Sequence, residues 1–497
     1  MHLNWKVIFN ILSILVLFNG LFMLLGLPIA FLHHTEGGGM HGMGGFWELF
    51  IPGALSTVLG ILVWRSTKEN NRRLGKRDGY LIVSLGWVLM SLTGALPYWL
   101  LGGQFEDMSC AIFEAVSGYT TTGASILTDI EAQPKAILFW RSMTHWIGGM
   151  GIIVLAIAIL PLLGIGGMQL FVAEAPGPTA DKLHPRITET AKRLWLIYVS
   201  ITFVEMIILM FCGLGWFDAI THSFSTVSTG GFSTQNASLA AYGPLVHYVV
   251  TLFMFICGAN FALIYFGIKG NLKKVWQNEE FRAYLGLVLG VTIIATLVVF
   301  WNDPQRVNVG AEEAFRDSLF QVVAVVTTTG FVTENFAAWG PFLKVIFFLL
   351  MFVGASAGST AGGVKIVRHL IIFKSGILEF KRQLHPSAIV PVRLNKRAVK
   401  SNITLNVLAF FLIYMIIFCF GCLVLGATGL YDFETILGAV ATSLGNVGPG
   451  LGAVDPVSNF AHFPWFLKLF LSFLMLLGRL ELFTILILFT PYFWRKS

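Results

Sequence analysis

The sequence predicts an all-α integral membrane protein with ten transmembrane helices. Three observations predict it. Of 497 residues, 56% are hydrophobic and only 12% are charged, where a soluble domain carries roughly 25% charge. Mean hydropathy is +0.76, and the 44 Phe outnumber the 33 Lys and Arg. The apolar residues also gather in runs near or above the ~20 residues needed to cross a bilayer. Together these exclude a soluble enzyme with an ordinary core, a disordered chain and a fibrous one.

The ten runs lie at 5–32, 46–64, 79–101, 136–163, 194–214, 243–268, 283–301, 341–373, 402–425 and 464–490. The first is too long for a signal-peptide core, and no small-residue cleavage site follows it. Basic residues collect in alternate loops. These hold Arg65, Lys68, Arg72, Arg73, Lys76 and Arg77; then Lys182, Arg186, Lys192 and Arg193; then Lys269, Lys273, Lys274 and Arg282. The segment 365–400 adds Lys365, Arg368, Lys381, Arg382, Arg397 and Lys400. The positive-inside rule makes this side cytoplasmic, and ten spans put both termini there, with Lys6, Arg495 and Lys496. The net charge of +7 is therefore read as membrane topology, with no nucleic-acid partner expected. Acidic residues favour the other side, including Glu106, Asp107, Glu114, Asp218, Glu312, Asp317, Glu334, Asp432 and Asp455. They recur just before each of the stretches described next. Fixed negative charge at a mouth raises the local cation concentration.

Short semi-polar stretches follow the third, fifth, seventh and ninth runs. They read SGYTTTGAS (117–125), STVSTGGFS (225–233), VVTTTGFVT (325–333) and ATSLGNVGPG (441–450). Each has a hydroxyl residue two positions before a glycine, at Gly123, Gly230, Gly330 and Gly445. A unit of about 100 residues thus recurs: span, short apolar helix, Gly-centred turn, span. The organisation predicted is two N-terminal helices with a basic loop (1–78), then repeats at 79–186, 187–282, 283–400 and 401–497. Non-helical backbone at membrane depth is tolerated only where protein buries it or where it lines water. Four such turns facing one axis offer carbonyls and hydroxyls that replace the hydration shell of an alkali cation. Glycine is needed because inward-pointing carbonyls require dihedrals that a Cβ disfavours. The bland alternative is four Thr- and Gly-rich outer loops.

Other features refine this reading. There is no Arg ladder of a voltage sensor. There is also no phosphate-binding loop and no strand-flanked Gly-rich fingerprint, so no nucleotide is expected on this chain. Arg479 lies mid-run in the last span, where a charge usually faces a cavity. It is expected below the turns as a barrier to cations, the alternative being a structural pair with Glu481 or Glu205. The eighth run is interrupted by VGASAGSTAGGVKIVRH (353–369). Its Gly354, Ser356, Gly358, Ser359, Thr360, Gly362 and Gly363 suit an irregular intramembrane gate, with Lys365 at its inner end; tight helix packing is the alternative. Gly354 to Gly358 also matches a hydrolase elbow, but no strand precedes it. The five cysteines, Cys110, Cys212, Cys257, Cys419 and Cys422, show no ligand spacing, and no transition-metal site is expected. His33, His34, Met40, His41 and Met43 read as a flexible outer turn. Arg141 and His145 read as snorkelling near the outer end of the fourth span.

On these residues the chain resembles the Trk/Ktr/HKT superfamily of potassium transporters. The two extra N-terminal spans, GPTADKLHPRITETAKRLW (177–195), the GASAGSTAGG loop and LGRLELFT (477–484) resemble its TrkH branch. The resemblance covers essentially the whole chain. It implies potassium translocation across a bacterial inner membrane and no enzyme activity. It places the filter on Thr121, Thr122 and Gly123; Ser228, Thr229 and Gly230; Thr328, Thr329 and Gly330; and Ser443, Leu444 and Gly445. In plant relatives a Ser at the first filter glycine accompanies sodium preference, so Gly123 implies potassium. The fourth hairpin departs most from the pattern, with Leu444 and Asn446. The resemblance further implies a homodimer seated on a TrkA-like cytoplasmic ring that binds NAD and ATP, with the basic loops as its docking surface. A potassium symporter coupled to protons or sodium would share this architecture.

Overall fold

The computed structural model describes residues 3–33, 43–68, 75–149 with 151, 187–302, 310–385, 390–480 and 482–495. The inner part of the fourth predicted span (152–163), the basic stretch 164–186, residues 34–42 of the His/Met loop and Glu481 lie outside the described residues.

The apolar runs form helices because nothing but an internally bonded backbone suits lipid. Helix α1 (Trp5–Leu24) is capped by Asn4, whose side chain accepts from Val7 N. A short α2 (Leu27–Leu32) follows, then α3 (Phe46–Ser66) and α4 (Lys76–Leu101). Glycines set the α1–α3 seam: a Cβ on Gly60 would collide with Leu17, and one on Gly20 with the Gly53 carbonyl. Such small residues let helix backbones approach in a membrane, where hydrophobicity alone drives no association. Asn19, buried in α1, donates to Thr93 Oγ1 (2.7 Å) and accepts from Tyr119 OH (2.5 Å). The N-terminal pair is thereby bonded to the first repeat.

Four units then repeat. The first is α4, half-length α5 (Met108–Tyr119) and α6 (Lys135–Gly149). The second is α7 (Ile187–Phe211), α8 (Trp216–Val227), then α9 (Pro244–Gly258) and α10 (Phe261–Ile268). After the short α11 (Leu272–Gln277) comes the third: α12 (Glu279–Asn302), α13 (Ala311–Val326), α14 (Pro341–Leu350) and α15 (Ile366–Leu384). The fourth is α16 (Ser401–Gly426), α17 (Phe433–Gly445), α18 (Trp465–Arg479) and the short α19 (Leu482–Leu486), before the terminal α20 (Pro491–Trp494). Among the described residues six helices are long and apolar enough to cross a membrane, and up to eight if each bent pair counts as one span.

The half-length helices α5, α8, α13 and α17 explain the recurrence of outer acidic residues. Asp107 caps α5 by accepting from Ser109 N, and Asp432 caps α17 by accepting from Thr435 N. Asp218, and Glu312 with Glu313, occupy the first turns of α8 and α13. Carboxylates belong at helix N-termini, where they satisfy free N–H groups and meet the positive end of the macrodipole.

Besides the eighth, which the Gly-rich segment interrupts, two predicted spans are not straight. The sixth bends by 109° between α9 and α10, where the side chain of Asn260 caps the new helix through Ala262 N (2.8 Å). The tenth bends by 114° just after Arg479. Arg479 therefore does not sit in the middle of one continuous helix. It ends α18, where a cation meets the negative end of the helix dipole.

Candidate ion pathway

Each half-length helix ends in the same backbone figure. The residue after its last turn is left-handed, at Thr121 (φ 51°), Thr229 (55°), Thr328 (55°) and Asn446 (55°). Two positions on, a glycine is left-handed, at Gly123 (φ 80°), Gly231 (83°), Gly330 (74°) and Gly448 (100°). All of the left-handed non-glycine residues in this set are fully buried. Left-handed backbone costs a β-branched residue about 1–2 kcal/mol, so this figure persists only because its surroundings fix it.

The turns close into a ring. A Cβ on Gly123 would collide with the Gly230 carbonyl, one on Gly231 with that of Thr329, and one on Gly330 with that of Val447. One on Gly448 would lie 2.6 Å from the carbonyl oxygen of Thr122. Each glycine is seated against the preceding-position carbonyl of the next hairpin, and the fourth returns to the first. Hydrogen bonds from side chains and backbone fasten the joints. Asn446 Nδ2 donates to Thr122 Oγ1 (3.0 Å), and Asn335 Nδ2 to Asp455 Oδ2 (3.0 Å). Leu239 N and Ala240 N donate to the Val332 carbonyl at 3.0 and 3.2 Å.

This figure sets the repeat register. Thr121, Thr122 and Gly123 occupy it, as do Thr328, Thr329 and Gly330. In the second hairpin the equivalent triplet is Thr229, Gly230 and Gly231, one residue beyond the expected one; Ser228 still caps α8. In the fourth it is Asn446, Val447 and Gly448, while Ser443, Leu444 and Gly445 complete the last turn of α17. The sequence cue, a hydroxyl two residues before glycine, is met twice in STVSTGGFS. In the fourth hairpin the left-handed residue is Asn, which adopts that conformation most readily after glycine.

The Gly-rich segment lies directly against the ring. Its ends are joined by a two-residue parallel pairing, Val353 to Val364 and Gly354 to Lys365. Gly362 N donates to Thr328 Oγ1 (2.7 Å), Thr360 Oγ1 meets Thr229 Oγ1 (3.3 Å), and Gly362 packs on Asn446. Ser356 N donates to the Gly258 carbonyl (3.0 Å), and Phe261 N to that of Gly358 (3.0 Å), tying the segment to the α9–α10 bend. Gly358 is left-handed and stands against Asn260. Glu280 accepts from Ala357 N (2.6 Å). Ser359 Oγ turns back to the Ser356 carbonyl (2.6 Å). Lys365 Nζ folds onto the carbonyls of Ala361 and Gly362, and Gly363 is left-handed against Gly354.

Arg479 joins three parts. Its Nη1 donates to the Thr360 carbonyl (2.6 Å), and its Nη2 to the carbonyls of Gly148 (2.7 Å) and Gly149 (3.1 Å) at the end of α6. The free carbonyls at the end of α6, together with the place of Arg479 at the C-terminus of α18, make this a favourable site for a buried cation. Glu205, fully buried in α7, has neither carboxyl oxygen hydrogen-bonded.

Arg141 and His145 do not snorkel: they are 2% and 0% exposed. Arg141 Nε meets Glu114 Oε1 at 2.6 Å, and the His145 ring stacks on Phe232 at 3.9 Å. The Gly230 Cα faces that imidazole, which fills the space where a side chain would stand. The sequence signal was present, as two polar residues one helical turn apart in an apolar run, but nothing local identified their partners. All five cysteines are free. Among the described residues no group of three or more His, Cys, Asp or Glu side chains suits a metal ion.

Four half-length helices whose turns meet head to tail, among helices long and apolar enough to cross a bilayer, define a membrane protein built from pseudo-repeats. Sequence comparison agrees: residues 47–496 match the cation transport protein family TrkH. The chain belongs to the TrkH family. It is 42% identical to the Trk system potassium uptake protein TrkH of Salmonella typhimurium, over 99% of this chain and 100% of that protein. It is 35% identical to the Trk system potassium uptake protein TrkI of Halomonas elongata, over 99% of this chain and 98% of that protein. Its fold matches the crystal structure of the potassium transporter TrkH from Vibrio parahaemolyticus, with a TM-score of 0.87 and 36% identity over 99% and 100% of the two chains.

Proposed function

We propose that this chain carries potassium across the bacterial inner membrane through the axis of its four hairpins. The observation that carries this reading is the closed ring of left-handed glycines, each fixed against a carbonyl of the next hairpin. Such a ring orients backbone oxygens without mobile side chains, as replacement of a hydration shell requires. The half-length helices aim their C-terminal, negative ends at it. In this reading the filter is formed by residues 121–123, 229–231, 328–330 and 446–448. Thr121 supports it further, since its buried hydroxyl has no hydrogen-bond partner.

The Gly-rich segment acts as the gate, with Arg479 as its latch. Residues 354–363 block the path beneath Thr229 and Thr328, and Arg479 holds Thr360 in that position. The polypeptide crosses the membrane ten times, counting 341–384 and each bent pair as single crossings. In this reading both termini are cytoplasmic: Asn4 N donates to Asp78 Oδ1 (3.2 Å) and Arg77 to the Arg495 carbonyl (2.9 Å), so both ends of the chain lie at the face of the first basic loop. The protein works as a homodimer on a cytoplasmic nucleotide-binding ring, which docks on the basic loops; no nucleotide binds this chain.

Shortening the segment by deleting 357–361 tests the gate. The variant is expected to leak rubidium in proteoliposomes under a potassium diffusion potential, with no partner added. Closed-state flux equal to that of the unaltered chain would refute the gate.

A further inference from the structure

Three of the four hairpins carry a polar strut at the same offset before the left-handed glycine. Glu114 accepts from Ser125 Oγ (2.9 Å), His222 Nε2 meets Ser233 Oγ (2.9 Å), and Gln321 Nε2 donates to Thr333 Oγ1 (3.2 Å). Each ties a half-length helix to the strand leaving its own turn. The fourth hairpin has Ala439 there, and close backbone packing of Gly438 on Leu451 takes the strut's place.

The first strut does something more. Glu114 also accepts from Ile126 N (2.9 Å) and from Arg141 Nε (2.6 Å). Arg141 then leaves the first hairpin altogether. Its Nη1 donates to the Ser233 carbonyl (2.9 Å), and its guanidinium lies 3.5 Å from the centroid of the Phe232 ring. Ser233 and Phe232 belong to the strand leaving the second turn. One buried ion pair thus grips both outgoing strands, immediately beyond Gly123 and Gly231. Glu114 is 0% and Arg141 2% exposed.

We propose that Glu114 and Arg141 form a positioning brace that sets cation discrimination at the joint between the first two hairpins. The proposal rests on the filter reading above. The other joints described here are held by neutral hydrogen bonds or by an amide–carboxylate contact. This one is held by a planar charged fork between two strands. A buried pair with additional hydrogen bonds has one geometry, and either partner alone is strongly disfavoured. Sodium, being smaller, is coordinated only if the carbonyl ring contracts. The brace opposes contraction by fixing the separation of the two strands. Arg141 itself touches no transported ion, and its charge is balanced by Glu114, so it acts on selectivity through Phe232 and Ser233.

The test separates geometry from charge. Arg141→Lys keeps the charge but loses the fork and the planar stack on Phe232. Phe232→Leu keeps the ion pair and removes the stacking surface. Each full-length variant, and the unaltered chain, would be expressed in potassium-depleted bacteria lacking other potassium uptake. Rubidium and sodium influx would be normalised to membrane-inserted protein. The expected result is retained rubidium influx with a rubidium-to-sodium ratio lowered about tenfold in both variants. Folded Arg141→Lys with the original ratio would overturn the brace, and so would a parallel fall of both fluxes. If Arg141→Lys fails to insert, the ratio in Phe232→Leu decides the matter in the same way. An unaltered chain without rubidium preference would overturn the filter reading itself, and the brace with it.

Discussion

Arg479→Ala is expected to raise resting rubidium flux by more than about a hundredfold in proteoliposomes holding this chain alone. Two effects add. At an effective dielectric constant near 20, a unit positive charge about 5 Å from a passing cation costs it about 3 kcal/mol. That alone is about a hundredfold in rate. The substitution also frees the Thr360 carbonyl, which Arg479 holds at 2.6 Å. Thr360 retains weaker contacts with the Val227 carbonyl (3.1 Å) and with Thr229, so the segment loosens without losing its place entirely. Arg479→Lys separates the two effects. It keeps the charge but cannot reach Thr360, Gly148 and Gly149 together. It is expected to leak less than the alanine variant and more than the unaltered chain. Unchanged flux in Arg479→Ala would remove this residue from the gate.

Gly231→Ala is expected to abolish rubidium preference while leaving membrane insertion intact. At φ 83° an alanine is strained by about 1–2 kcal/mol, and its Cβ would run into the Thr329 carbonyl, a backbone atom that cannot rotate aside. The second hairpin must then move away from the third and open the ring at that joint. Gly310→Ala is the control, since it adds a Cβ to open space before α13 and has ordinary backbone geometry. It should match the unaltered chain in both the rubidium-to-sodium ratio and abundance. A Gly231→Ala protein with the original ratio would mean that the left-handed glycines do not shape the selective site.

Much of this architecture was legible because membranes impose simple rules. Hydropathy located long apolar helices, six of spanning length among the described residues and up to eight with each bent pair counted as one, and a Thr–x–Gly recurrence at near-even spacing pointed to the four left-handed turns. Legibility failed where identity and conformation part company. In STVSTGGFS two overlapping triplets satisfy the same pattern, and only the backbone tells Gly231 from Gly230. In the fourth hairpin the left-handed residue is Asn446, so a search for threonine settles on Ser443, which is helical. The Gly-rich segment was recognisable as non-helical from its composition, but its partners are distant in sequence: Thr328 and Glu280 lie in earlier elements of the same repeat, and Asn260 lies in the repeat before. Arg141 was misread for the same reason. Its partner Glu114 is in the preceding half-length helix, and Phe232 is in the next hairpin, so position along one helix carried no sign of either. The bend after Arg479 was hidden as well, since LGRLELFT contains neither proline nor a glycine at the break.

The most direct test of the potassium-filter reading is paired rubidium and sodium uptake into proteoliposomes holding this chain, under a potassium diffusion potential. It should be run on the unaltered protein and on Arg479→Ala, so that a closed gate does not conceal the filter. A potassium filter predicts rubidium uptake well above sodium uptake in the opened variant, driven by voltage alone, with weak flux in the unaltered chain. Equal uptake of the two ions, or uptake that needs an imposed proton or sodium gradient, would contradict it.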